Sequence, residues 1–199
     1  KATSLKTLME KTENAGMRFG TTGTLDDTKT HKLMLEGLFG PVRRFTTSKQ
    51  LMKDGQLAKL KISCIMLNYS DEIKQSTKKY TYQEEMDFLV SHTPRNNFIR
   101  NLAVDQTGNT LLLFQYVEKH GKILYDIIKE KSGDRKVFFV YGGVGANERE
   151  DIRAITEKET DAIIVASYGT FSTGINIRNL HNIIFASPSK SKIRNLQSI

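Results

Sequence analysis

Apolar residues in this chain gather into short runs, separated by polar stretches with helical spacing. The clearest runs are Thr110–Phe114, Val137–Tyr141, Ala162–Ala166 and Asn182–Ala186, each of strand length. Amphipathic patterns predict helices over Val117–Lys131 and Asn147–Glu157, and a last helix beginning near Lys190. Short apolar strands alternating with such helices imply a parallel sheet covered on both faces, an α/β fold. Before the first run, Tyr82–Val90 and Pro94–Val104 read as consecutive helices, the second with Thr93 as N-cap and Pro94 at its first position. Nearer the start, Thr30–Phe39 is helix-like and is closed by Gly40-Pro41. Arg18–Leu25 reads as a short strand running into a turn, and Leu60–Tyr69 as a β-rich strand. Ser70–Lys79 is polar and poorly periodic, so the expected division is into residues 1–70 and 71–199.

Composition narrows the function classes. A chain of 199 residues can hold one full domain and part of another. The lone Cys64 excludes an internal disulfide and a multi-cysteine zinc site, and suits a reducing compartment. His31, His92, His120 and His181 lie far apart without ligand spacing, so no metal site is expected. There is no apolar run of membrane-spanning length and no signal peptide, and the expected location is cytoplasmic, with no membrane partner. The chain starts at Lys1 and not at Met, which suggests a cut or processed N-terminus. Net charge is +8, and it is uneven: residues 1–67 carry twelve Lys/Arg against six Asp/Glu. A basic excess favours phosphate polymers through counterion release, although a basic soluble surface explains the charge equally well.

In a parallel sheet, function gathers at the carboxyl ends of the strands. Three loops have suitable chemistry. Gly20-Thr21-Thr22-Gly23-Thr24-Leu25 precedes the paired carboxylates Asp26 and Asp27, which read best as helix-capping groups. Tyr141-Gly142-Gly143-Val144-Gly145-Ala146-Asn147 is a glycine-rich strand-to-helix turn. It fails as a dinucleotide fingerprint, because the third glycine would fall at Glu148. The segment Ser167-Tyr168-Gly169-Thr170-Phe171-Ser172-Thr173-Gly174 follows an apolar strand, and its N–H and O–H groups can approach phosphate closely. Tyr168 and Phe171 could stack on bases, but aromatics beside a buried strand are more often core.

Taken in order, these segments resemble the superfamily two helicases, most closely the UvsW-type DNA helicases of tailed bacteriophages. Gly20–Leu25 is similar to motif III, which couples ATP state to the placement of two RecA-like domains. Leu111–Phe114 and the following helix resemble motif IV, and Tyr141-Gly142-Gly143 with Glu148-Arg149 resembles motif IVa. Ala166–Asn176 resembles motif V, and Gln197-Ser198-Ile199 resembles the start of motif VI. The closest wording is in Ala166-Ser167-Tyr168-Gly169, Phe171-Ser172-Thr173-Gly174-Ile175, Ser191-Lys192-Ile193 and Thr81-Tyr82-Gln83-Glu84-Glu85.

The resemblance implies the end of a first RecA-like domain followed by most of a second. It implies an ATP-dependent DNA helicase or translocase as the complete protein, acting on branched DNA or single-strand/double-strand junctions in phage recombination and fork rescue. It would be monomeric, using ATP and Mg²⁺, in the host cytoplasm. The residues implied at the ATP cleft and domain coupling are Thr22, Gly23, Thr24, Thr173, Gly174, Asn176 and Gln197. Those implied for nucleic acid are Phe114, Gln115, Gly142, Arg149, Ser167 and Tyr168, with Ser167 hydrogen-bonding a backbone phosphate. Arg178, Lys190, Lys192 and Arg194 flank this region and would add phosphate contacts or simply a solvated basic face. No GxxxxGK[ST] loop, DExx box or motif VI arginine occurs in the chain, so no catalytic residue is assigned and the chain alone is expected to be inactive as an ATPase. A restriction-type translocase, an RNA helicase, or a non-catalytic nucleic-acid-binding remnant are the alternatives.

Overall fold

A computed structural model describes residues 3–12, 14–22, 25, 29–143, 146–171 and 179–188. The chain divides into two compact units, Lys1–Tyr69 and Ser70–Ile199.

The first unit carries three described helices: α1 (Thr3–Glu10), α2 (Lys29–Phe39) and α3 (Ser48–Lys53). Thr47 caps α3, its hydroxyl accepting from the Gln50 N–H at 3.2 Å. The helix expected over Thr30–Phe39 is present, whereas α1 and α3 were not anticipated. Two expectations are corrected. Residues 18–22 form no strand, and neither does Leu60–Tyr69, where only Leu67 and Tyr69 are even partly buried. An apolar run becomes a strand only when a neighbour takes its backbone hydrogen bonds, and no described strand flanks this one.

The second unit opens with α4 (Asp71–Thr77), α5 (Tyr82–Ser91) and α6 (Thr93–Asp105). Helix α4 lies in the stretch read as aperiodic. Its signals are terminal: Ser70 caps it, and Asp71 and Glu72 meet the positive end of its dipole. Thr81 and Glu84 close a reciprocal capping box on α5. Helix α6 starts one residue earlier than expected, because the cap is His92 and not Thr93. The His92 Nδ1 accepts from the Arg95 N–H at 3.3 Å.

Four parallel strands follow: β1 (Thr110–Phe114), β2 (Val137–Val140), β3 (Ile163–Ser167) and β4 (Asn182–Phe185), in the spatial order β2-β3-β1-β4. Helix α7 (Lys122–Lys131) joins β1 to β2, and α8 (Ala146–Lys158) joins β2 to β3. A short helix, α9 (Tyr168–Phe171), leaves β3 where the sequence suggested a loop. Every residue of β1 and β3 is buried, and alternation sends them to two cores. Leu112, Phe114, Ile163 and Val165 pack with Ile99 and Ala103 of α6 and Leu124 and Ile128 of α7. Leu111, Leu113, Ile164 and Ala166 pack on the other face with Val140, Tyr168 and Ile152 of α8. Helices on both faces explain why these strands are buried end to end and carry continuous apolar runs instead of alternating.

Between β1 and α7 the chain forms a π-helical turn, Val117–Gly121, where a continuous α-helix over Val117–Lys131 was expected. The Gly121 N–H donates to the Tyr116 carbonyl at 2.8 Å, five residues back. A glycine is required there. A Cβ on Gly121 would penetrate the ring of Phe114, which stacks on Phe139.

Candidate nucleic-acid interface

Strand register determines what meets at the carboxyl edge of the sheet. Phe114 is the Cα partner of Ser167, Val140 of Ala166, and Leu113 of Phe185. Across the edge the chain therefore presents Tyr141-Gly142 after β2, Ser167-Tyr168 at β3, Phe114-Gln115 at β1 and Ala186-Ser187 after β4. Five of the six residues implied for nucleic acid are brought to this edge. The sixth, Arg149, stands in the first turn of α8, with its side chain outside the described residues.

These residues differ in what they can offer a ligand. Gly142 and Gln115 are exposed. Ser167 is mostly buried, and its hydroxyl lies 2.8 Å from the Thr170 hydroxyl one turn into α9. One hydrogen joins the pair, and hydroxyls at a strand end are donors of the kind that suits a phosphate oxygen. Phe114 and Tyr168 are core rings, the placement the sequence reading preferred for Tyr168 over stacking on a base. Phe114 is fully buried against Phe139, and Tyr168 packs in the core, stacked on Phe185 with its hydroxyl donating to the Ser187 carbonyl at 2.9 Å. Neither ring has a face for a base, so both shape the edge from beneath. Thr22 is exposed in the first unit. Gly23, Thr24, Thr173, Gly174, Asn176 and Gln197 lie outside the described residues, as do Arg178, Lys190, Lys192 and Arg194.

Under this edge runs a polar network that the sequence reading did not single out. The Gln115 N–H donates to the Ser187 hydroxyl at 3.1 Å. Ser187 Oγ lies 3.0 Å from His120 Nδ1, and His120 Nε2 lies 3.2 Å from Asn96 Oδ1. Because Asn96 Nδ2 donates to the Val90 carbonyl at 2.8 Å, its oxygen faces the ring, and His120 must carry its proton on Nε2. Nδ1 then accepts from Ser187, leaving Ser187 Oγ as acceptor for Gln115. Every link is consistent with a neutral imidazole. Burial, reinforced by the Arg95 charge, pushes the His120 pKa down to about 4. Arg95 itself donates to the Ala186 carbonyl at 2.5 Å, anchoring α6 to the exit of β4.

A signal for part of this network was present. Ser187 follows an apolar strand as Ser167 does, and a hydroxyl in that position is what drew attention to Ser167. His120 had no such signal, since only the π turn rotates it inward. The opposite end of the sheet is fastened by Asn109, whose amide donates to the carbonyls of Thr156, Glu159 and Asn179 and whose oxygen accepts from Ala162 N–H. Arg135 does similar work there, donating to the Val104 and Gln106 carbonyls and pairing with Asp161.

Among the described residues no helix is long and apolar enough to cross a membrane, and no group of His, Cys, Asp or Glu could hold a metal ion. With no GxxxxGK[ST] loop either, the residues present do not fit ATP–Mg²⁺ by themselves.

No family model matches the chain. It is similar to the ATP-dependent DNA helicase uvsW of Enterobacteria phage T4, with 38% identity over 199 residues. The alignment covers 98% of this chain and 39% of the phage protein, so the chain spans about two-fifths of that relative's length. The resemblance drawn from the motifs is borne out, and the all-parallel α/β sheet agrees with it.

Proposed function

We propose that this chain forms the strand-gripping part of an ATP-dependent DNA helicase or translocase acting on branched DNA, in recombination and replication-fork rescue. The observation carrying this reading is the similarity to the phage T4 helicase along nearly the whole chain. The carboxyl edge of the sheet supports it, since Gln115, Gly142 and the Ser167–Thr170 hydroxyl pair meet there on a rigid base. In this reading backbone amides and hydroxyls hold a phosphate of one strand, and no base is read, so sequence preference is small. ATP and Mg²⁺ are cofactors of the complete protein. The grip itself runs through neither.

The test is fluorescence anisotropy of the chain with labelled single-stranded, forked and duplex DNA and single-stranded RNA, across a salt series. Salt-sensitive binding to single-stranded and forked DNA is expected, and Ser167→Ala should weaken it several-fold at unchanged melting temperature. No binding at low salt, or a clear preference for RNA, would overturn the reading.

A further inference from the structure

The segment Pro41–Lys61 in the first unit holds six basic residues, Arg43, Arg44, Lys49, Lys53, Lys59 and Lys61, against the single acid Asp54. It therefore carries +5 of the chain's net +8. All six are exposed. Elsewhere in the unit, two lysines are paired along helices, Lys6 with Glu10 and Lys32 with Glu36. Among the described residues no acid pairs with any of the six. Asp54 is occupied: Gln50 Nε2 donates to its two carboxylate oxygens at 2.8 and 3.0 Å. Lys49 and Lys53 stand four residues apart on α3, and so on one side of it. Just before α3, Phe45 follows Arg43 and Arg44 and is 94% exposed; Phe19, at 85%, is the other open phenylalanine described in this unit and has no such pair of arginines directly before it.

Unneutralised cations beside an open aromatic ring are the two components that hold a single nucleic-acid strand, the cations along the phosphates and the ring against a base. A solvated basic face would account for the lysines alone. What marks this segment among the open apolar residues of the unit is that its uncovered ring stands directly after two arginines.

We propose that Pro41–Lys61 is a second contact for single-stranded nucleic acid, built from residues other than those of the sheet edge, in which Arg43, Arg44, Lys59 and Lys61 meet phosphates and Phe45 stacks on a base. The inference goes beyond the helicase reading and does not require it.

The experiment measures binding of the full chain to a labelled 20-nucleotide single strand between 50 and 300 mM salt. Arg43→Gln with Arg44→Gln should weaken binding about three- to ten-fold at low salt. It should also lower the salt slope by about 1.4, since each lost phosphate contact on a single strand is worth about 0.7. Phe45→Ala should weaken binding at least about five-fold with an unchanged slope, because stacking releases no counterions. Lys78→Gln with Lys79→Gln, an equal change in charge at two exposed lysines outside the segment, should leave both readouts unchanged. Equal losses from this lysine pair and the arginine pair would reduce the effect to net charge and overturn the proposal. So would tighter binding to anionic phosphatidylserine vesicles than to the strand. Ser167→Ala separates the two readings: losses confined to Ser167 sink the second contact, and losses confined to the segment sink the sheet-edge grip.

Discussion

His120 Nδ1 and the Ser187 hydroxyl are 3.0 Å apart, and this contact joins the exits of β1 and β4 beneath the proposed phosphate grip. Ser187 in turn receives the Gln115 N–H, so the position of that exposed residue depends on a histidine it does not touch.

Stability should therefore depend on pH through His120. Its pKa is about 4 in the folded chain against 6.5 for an ordinary histidine. The folded state thus binds fewer protons than the unfolded state below about pH 6.5. The stabilisation is complete above that pH and is lost as pH falls towards 4, by an amount of about 3 kcal/mol. Urea unfolding at pH 7 and pH 4.5 should show the loss, and His120→Gln should flatten it while lowering stability at pH 7.

Gly121→Ala should cost about 1–3 kcal/mol, because the new methyl meets the Phe114 ring inside a packed core. The cost should shrink in a Phe114→Leu background, where the ring is gone. A double-mutant cycle in urea denaturation measures this coupling; an equal cost in both backgrounds would place the strain elsewhere.

Tyr168→Phe removes one buried hydroxyl and keeps the ring. Stability should fall by about 1 kcal/mol through loss of the bond to the Ser187 carbonyl. Affinity for single-stranded DNA should change less than two-fold. A larger loss of affinity at unchanged stability would mean that the hydroxyl meets the strand.

Asn109→Asp should be at least as harmful as Asn109→Ala, at about 3 kcal/mol or more. A carboxylate at that site would face three carbonyl oxygens and have no hydrogen to give them. Thermal melting of the two variants ranks them directly.

The sheet was legible in the sequence because each strand is a continuous apolar run with polar ends; Thr110–Phe114 is found at the boundaries read from the pattern. The run Leu60–Tyr69 looked the same and is not a strand, since a run reports hydrophobicity and not the neighbour it needs. Capping placed α4 where periodicity found nothing, and the π turn passed unnoticed because five apolar and polar residues fit an α turn equally well. In the candidate site, Ser167 and Gln115 could be placed from strand ends alone. His120 and Asn96 could not: their meeting depends on α6 crossing under the exit of β1, a contact between residues 24 apart in sequence.

The order β2-β3-β1-β4 also bears on how the chain is made. Strand β1 leaves the ribosome first of the four, yet both of its neighbours, β3 and β4, come from the far end of the unit. Its four apolar residues, Leu111–Phe114, must wait for β3 and then β4, and both edges of the strand are paired only when synthesis has passed Phe185. That interval is when the chain is most open to off-pathway pairing with another copy, and most in need of a chaperone.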